Sequence, residues 1–343
     1  MIMSAKKIYH FHKWSGLIAG LFILLLGVTG SILVFHEELE ALEHHQEWTV
    51  KNTQAVSIDR ALKTVVNKFP GRDIRLKHFS ANPANSLIFE LRRPDTRLII
   101  FTHPSNGNIL KVMDQKDSLV FWILKLHYSL HSGIIGESLI LLIGLLFIFS
   151  LITGLIVYRK ALINVLTFRT RFLKKRKRSV TSSLHRYVGV WALLFNLLIA
   201  LTGTVISYEI VKSSLNTPAS AAIANPDVKI SIDKALKDLK TQQPDFNPSY
   251  IRFPTAPGSP VIFAGRVDGQ AYFYSKFYNT ISVDATSGQI SGLKITRSLS
   301  SLVRGIHFIE YGNLFIKFFF CLVGISGPLL SITGFLLWRW RKK

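Results

Sequence analysis

Four long apolar stretches constrain this chain more than any other feature. They cover about residues 14–35, 139–158, 187–208 and 315–338. A helix that crosses a bilayer takes about 20 consecutive apolar residues, and each stretch meets that length. The first stretch is too long for the apolar part of a cleavable leader, and no small-residue cleavage site follows it. The sequence therefore predicts an integral membrane protein with four transmembrane helices.

The basic residues indicate which ends of these helices face the cytoplasm. Seventeen of the 42 Lys and Arg residues lie within 1–13, 159–186 and 339–343, and these three segments contain no Asp or Glu. Such clusters are typical of cytoplasmic segments. They predict a bacterial inner-membrane protein with both termini in the cytoplasm and two outer segments in the periplasm. Topology and contact with anionic lipid explain the net charge of +22, so no nucleic-acid partner is expected.

The two outer segments resemble each other. Residues 57–62 read SIDRAL and residues 231–236 read SIDKAL, and a serine is a favourable helix cap. Strand-like runs follow at 86–91 and 97–102 in the first segment, and at 261–267, 271–278 and 281–283 in the second. Asn-Gly and Ser-Gly turns precede one further strand in each. We predict one helix on a small antiparallel sheet, twice.

The fold class is thus a membrane α-helical protein of four transmembrane helices from an internal duplication (2+2), with two small α+β domains. The predicted boundaries are 1–36 for the first helix, 37–118 for the first domain, 119–160 for the second helix with its periplasmic extension, 161–184 for the basic loop, 185–208 for the third helix, 209–303 for the second domain and 304–343 for the fourth helix and tail.

Four histidines follow the duplication. His12 and His185 are 173 positions apart, as are Thr29-Gly30 and Thr202-Gly203. His127 and His307 are 180 positions apart, as are Thr153-Gly154 and Thr333-Gly334. A histidine near a bilayer is costly and is a candidate functional residue. We interpret the Thr-Gly pairs as small-residue contacts between helices.

The residue types around these histidines favour haem over other metal centres. The chain has one cysteine, so a cysteine-ligated iron–sulfur cluster is excluded, and no carboxylate lies beside His12 or His185. Pairs of imidazoles on facing helices suit haem b. By symmetry we pair His12 with His185 and His127 with His307, which predicts two haems, one near each membrane face.

Two further histidines and two glycines form a second group of candidates. Gly16 and Gly189 each follow a repeated histidine by four positions and would leave room for a macrocycle. His131 would share a helix face with His127, and His36 ends the first apolar stretch. Three interpretations stay open for both histidines. They are alternative ligands of the haem iron, partners of the ligating histidines, or residues on the side where the substrate binds. A continuous second helix would put His127 about 39 Å from Thr153, beyond the apolar core.

The ordered set of motifs resembles the PepSY-associated transmembrane family. The resembling stretches are HKWSGL at 12–17, LHYSLHSG at 126–133, the Thr-Gly helices and the paired SID domains. The resemblance implies PepSY-like periplasmic domains and an inner-membrane di-haem ferric-siderophore reductase. Such an enzyme passes electrons across the membrane and reduces Fe(III)-siderophore to Fe(II). Its partners would be the siderophore, the lipid bilayer and an unidentified cytoplasmic or quinol electron donor.

Two other functions stay open at this point. One is a non-enzymatic, membrane-anchored PepSY binding or regulatory module, and the other is a metal-chelate permease. Arginines of the outer segments would either hold an anionic chelate or face solvent; they are Arg92, Arg93, Arg97, Arg252 and Arg266.

Overall fold

The computed structural model describes residues 4–216, 223–310 and 313–340. Its helices are α1 (Ala5–Leu33), α2 (His36–Glu43), α3 (His45–Trp48), α4 (Ile58–Lys68), α5 (Leu119–Ser129), α6 (Gly133–Tyr158), α7 (Leu162–Leu166), α8 (Lys177–Trp191), α9 (Leu193–Leu215), α10 (Ile232–Gln242), α11 (Leu299–Phe308) and α12 (Leu314–Arg339). Its strands are β1 (Asp73–His78), β2 (Leu87–Arg92), β3 (Arg97–Thr102), β4 (Ile109–Asp114), β5 (Phe246–Arg252), β6 (Val261–Val267) and β7 (Asn279–Val283).

The chain forms two compact units, a helical one and one that contains the sheet. The helical unit comprises Met1–His36, Ile123–Thr217 and Ile306–Lys343, and the sheet unit comprises Glu37–Trp122 and Pro218–Gly305. Within the described residues, four helices are long and apolar enough to cross a membrane: α1, α6, α9 and α12. The prediction of a membrane protein with four such helices is therefore confirmed.

Close helix packing in the helical unit depends on glycine. Helix α1 packs against α6 and α12, and α6 packs against α9. A Cβ atom on Gly27 would collide with the ring of Pro328 in α12, and one on Gly144 would lie 2.5 Å from the hydroxyl of Thr204. These glycines let the helix backbones approach closely, as small residues do in membrane bundles.

The second predicted span does not continue outward as one helix. Helix α5 ends at Ser129 and α6 begins at Gly133, and between them Leu130 and His131 have φ angles of 49° and 55°. Such left-handed residues end a right-handed helix. The 39 Å separation expected for a continuous helix therefore does not apply to His127. The third span is likewise divided, because α8 ends at Trp191 and α9 begins at Leu193.

The two outer segments share one sheet. Its strand order is β4-β3-β2-β1-β5-β6-β7, and every pairing is antiparallel. The join is made by β1 and β5, where Leu76 faces Ile251. Both residues, with Phe89 and Phe263, are completely buried. We had predicted a separate small sheet in each segment; instead, a single core runs through both.

The helices predicted at 57–62 and 231–236 are confirmed. Ser57 and Ser231 cap α4 and α10 by accepting from the backbone amides of Arg60 and Lys234. The apolar positions of α4 fall at helical spacing and are buried; they are Ile58, Ala61, Leu62 and Val65.

Each of these helices is also capped by the other. Asp233 accepts a hydrogen bond from the backbone amide of Ile58 at 2.8 Å, and Asp59 accepts one from Ile232 at 2.6 Å. The first amides of a helix have no partner within the helix, and a carboxylate satisfies them while it favours the positive end of the helix dipole. The two segments thus complete each other's helices.

The strand predicted at 271–278 was wrong. Residues 276–278 form a turn of 3-10 helix, and Tyr272 and Phe273 are exposed. The backbone at Phe273 instead passes so close to Gly305 that a Cβ atom there would collide with the carbonyl.

Candidate functional site

All four repeated histidines lie in the helical unit, and each bonds through Nδ1 to the Thr-Gly turn of another helix. Every bond has ordinary hydrogen-bond length. The Nδ1 atoms lie 2.9 Å from the carbonyl of Ser150 for His12, 2.9 Å from Thr29 Oγ1 for His127, 2.8 Å from Thr333 Oγ1 for His185 and 3.1 Å from Thr202 Oγ1 for His307. The carbonyl of Ser150 also lies 3.0 Å from the Thr153 hydroxyl, so His12 contacts the corresponding turn through a backbone oxygen where the other three contact the threonine itself.

These partners favour one tautomer of the rings. The carbonyl of Ser150 can only accept, so Nδ1 of His12 donates to it. Thr29 lies 2.9 Å from the carbonyl of Leu25, and Thr202 and Thr333 lie equally close to the carbonyls one turn earlier in their helices. When each threonine donates its one hydrogen to that carbonyl, its oxygen accepts from Nδ1, and the lone pair of the neutral imidazole is on Nε2. A metal-bound histidine has this arrangement, with the other ring nitrogen donating to a fixed acceptor.

The glycine of each Thr-Gly pair makes room for the imidazole. An added Cβ would lie 3.1 Å from Cε1 of His127 at Gly30, 3.0 Å from His12 at Gly154, 2.8 Å from His307 at Gly203 and 3.4 Å from His185 at Gly334. We had predicted helix–helix contacts for these pairs. The sequence did contain a signal for this role of the glycines. Four Thr-Gly pairs recur along with the four histidines, and each histidine contacts a pair on a different helix.

The inner pair, His12 and His185, is spaced as two ligands on one ion would be. Their ring centres are 6.4 Å apart and their planes are inclined by 65°. An imidazole nitrogen lies about 2.0–2.1 Å from a bound metal, and the ring centre about 1 Å further, so rings on opposite sides of one ion have centres about 6 Å apart. In the outer pair, Thr29 holds His127 and Thr202 holds His307, each through the same ring atom as in the inner pair.

A cavity of about 410 Å³ adjoins the inner pair. Both histidines line it, and so do Gly16 and Gly189, the glycines predicted to leave room beside the imidazoles. Most of the remaining wall is apolar and comes from α1, α6, α8 and α12. Cofactor sites are clefts of about 300–1,000 Å³ with mainly apolar walls, and this cavity lies within that range.

The donor groups of the protein suit a metal whose other ligands come from a cofactor. In the described parts of the chain, no group of three or more His, Cys, Asp or Glu side chains is placed to hold a metal ion. A zinc site takes three or four protein ligands, whereas a haem iron takes only axial ligands from the protein. Paired histidines with free Nε2 atoms therefore fit a haem.

The two second-group histidines do not join these pairs. His131 lies in the turn after α5 and is exposed, so it does not share a helix face with His127 as we had predicted. His36 begins α2, is half-buried, and donates from Nδ1 to the carbonyl of Leu33 at 3.1 Å. Tyr311, the position that matches His131 in the second half, lies outside the described residues.

Four of the candidate arginines are engaged within the sheet unit. Arg92 pairs with Glu90 at 2.7 Å, and Arg97 lies 3.9 Å from the same carboxylate. Arg93 donates to the carbonyls of Pro70 and Gly71. In the second segment, Arg266 contacts the carbonyl of Tyr272 at 3.5 Å. These contacts give the arginines structural partners.

The model of the PepSY-associated TM region matches residues 9–342. The chain therefore belongs to this family, and the resemblance drawn from its motifs is confirmed. No individual curated protein matches the chain.

Proposed function

We propose that this protein is an inner-membrane oxidoreductase that binds two b-type haems and reduces Fe(III)-siderophore to Fe(II) in the periplasm. The observation that carries the proposal is the arrangement of the four repeated histidines: each is held through Nδ1, and the described residues offer its Nε2 no hydrogen bond. A packing histidine has no need for this arrangement in both halves of the chain. A metal ligand does, because the orienting bond sets both the tautomer and the direction of the lone pair.

The histidines divide into an inner and an outer pair, each of which would supply the protein ligands of one haem iron. His12 and His185 would hold one haem beside the cavity, and His127 and His307 the other. Haem supplies one-electron chemistry, with a potential set by its axial ligands and surroundings. The threonines orient the rings, and the apolar walls of the cavity exclude water.

The sheet supports the proposed topology. Strands of residues 73–78 and 246–252 pair directly, so the two outer segments must lie in one compartment. Helices α6 and α9 then cross the membrane in opposite directions, and the basic residues 161–184 lie on the other side. Basic segments favour the cytoplasm, which supports a periplasmic location for the sheet unit.

The substrate assignment follows from iron chemistry and family membership. Siderophores hold Fe(III) through hard oxygen donors, and Fe(II) is softer and less charged, so one electron per iron weakens the complex. That electron would come from a cytoplasmic reductant or from membrane quinol. The PepSY-like sheet unit is the part of the chain available to bind the chelate.

An absorption spectrum of the purified protein tests the proposal. We expect about two haems per chain and a sharp α-band on reduction, and loss of about one haem in each of His12→Ala and His127→Ala. His45→Ala is the matched control, because His45 is exposed in the sheet unit. In proteoliposomes with an internal reductant, external Fe(III)-siderophore should be reduced, and each ligand variant should abolish this. A colourless protein would instead favour the non-enzymatic PepSY module.

A further inference from the structure

A basic residue follows each inner histidine. Lys13 follows His12 and Arg186 follows His185, so the two cations are related by the same shift of 173 positions as the ligands. Both line the cavity of about 410 Å³. The outer histidines differ, because Tyr128 and Phe308 follow them. The duplication has therefore kept one cation beside each ligand of the inner pair alone.

The guanidinium of Arg186 has an unused donor. Its Nε is fully buried and has no hydrogen-bond partner within the described structure. Its Nη2 donates to Ser183 Oγ at 3.3 Å and to the carbonyl of Arg171 at 3.4 Å, which holds the side chain in place. A buried donor without a partner is costly and calls for an explanation, and a bound anion would supply one.

The rest of the wall leaves these cations without a protein anion. None of the described residues that line the cavity is Asp or Glu. Topology alone accounts for basic side chains near the cytoplasmic interface, as in the exposed residues 174–177 and in Arg178, which is exposed although it also borders the cavity. It does not account for a buried, unpaired Nε on a side chain that lines the cavity.

We propose that Lys13 and Arg186 bind the two carboxylate side chains of the haem held by His12 and His185. This rests on the proposed function, and it adds an anion site that fixes which edge of the macrocycle faces the basic rim. An ionised carboxylate is strongly disfavoured in an apolar cavity unless it is paired. Charge-assisted hydrogen bonds from an ammonium and a guanidinium satisfy it, and the planar guanidinium matches its geometry.

The experiment compares haem with haem dimethyl ester, which lacks both negative charges. Apoprotein in neutral detergent is titrated with each, and the dissociation constants are read from the Soret band. The wild-type protein should prefer haem by about tenfold or more, since a hydrogen bond to a charged group contributes about 1.5–3 kcal/mol. In the Lys13→Gln, Arg186→Gln double variant the preference should disappear, while binding of the ester is retained. Lys174→Gln, Arg176→Gln is the matched control, because both residues are exposed in the same basic segment.

The outcomes separate this proposal from the proposed function. If neither form binds, the haem assignment itself fails. If both bind and the wild-type protein shows no preference, or the double variant keeps it, the carboxylate site is overturned. Vesicles containing phosphatidylglycerol form the last comparison. A double variant that loses affinity for these vesicles but still prefers haem over its ester would show that the anion is a lipid phosphate, which also overturns the proposal.

Discussion

Replacing Gly203 by alanine should displace His307 without harming the helix that carries the glycine. An added Cβ would lie 2.8 Å from Cε1 of His307, whereas carbon atoms in contact are about 3.5–4.0 Å apart. The imidazole would have to retreat by about 0.7 Å or more. Metal–ligand distances hold within about 0.2 Å, so this shift exceeds what a bound ion tolerates.

Gly334→Ala is the matched control. Gly334 occupies the equivalent position beside His185, but there the added Cβ would lie at 3.4 Å, which is close to ordinary contact. In both helices alanine is favoured over glycine by about 1 kcal/mol, so neither variant should fold less well for reasons of helix propensity. The two variants therefore differ in the steric effect on one imidazole.

The assay is the haem content per chain, together with the spectrum of the oxidised protein. We expect Gly203→Ala to retain about one haem and Gly334→Ala to retain about two. Alanine at Gly154 and Gly30 should give intermediate losses, because the distances there are 3.0 and 3.1 Å. A Gly203→Ala protein with full haem content and an unchanged spectrum would refute the reasoning, as would an equal loss in Gly334→Ala.

Three further results are expected. Thr202→Val should reduce haem occupancy at His307, whereas Thr202→Ser should keep it, because only the serine retains the oxygen that accepts from Nδ1. The haem content of both variants measures this difference. Asp233→Ala should destabilise the sheet unit by about 1 kcal/mol through the lost cap, and hydrogen exchange should then quicken at the start of α4; equal exchange in both proteins would contradict the reciprocal cap. Burial lowers the pKa of His78 below its ordinary value of 6.5. The unfolded chain therefore takes up a proton there before the folded one, so stability should fall as the pH drops below about 6.5 and stay level above it. His78→Gln should flatten that dependence in hydrogen exchange, and an unchanged slope would contradict it.

Features that depend on local composition were predictable from the sequence. The four spans follow from apolar length, and α4 follows from a serine cap with Ile58, Ala61 and Val65 at helical spacing. These signals act within a few turns of chain. Their outcome does not depend on where distant residues lie.

The strands were harder to predict for identifiable reasons. Strand β5 contains Pro248, which has no backbone N–H to donate to a neighbouring strand. A proline therefore counts against a strand when the sequence alone is considered. The aromatic run around Tyr272 and Phe273 is typical of strands, but both side chains are exposed. The backbone there is set by its close approach to Gly305.

The repetition of the four histidines was visible in the sequence, but the contacts that hold each ring were not predictable. Repetition selected His12, His127, His185 and His307 as a set. A Thr-Gly pair in an apolar helix, however, is equally typical of a helix–helix contact. For His127, the choice between the two depends on the break between Ser129 and Gly133, which the spacing of apolar residues does not reveal.

The shared sheet can be completed only after both of its segments have been synthesised. Its central pairing joins Leu76 to Ile251, so β1 emerges 175 residues before its neighbour. At about 5–20 residues per second, translation separates them by roughly 9–35 s. During that interval β1 is an open edge, the kind of surface at which chains aggregate. Two membrane insertions must also finish before the neighbour arrives. With the proposed topology, slow insertion of the third helix would therefore first become visible as capture of the first segment by periplasmic chaperones.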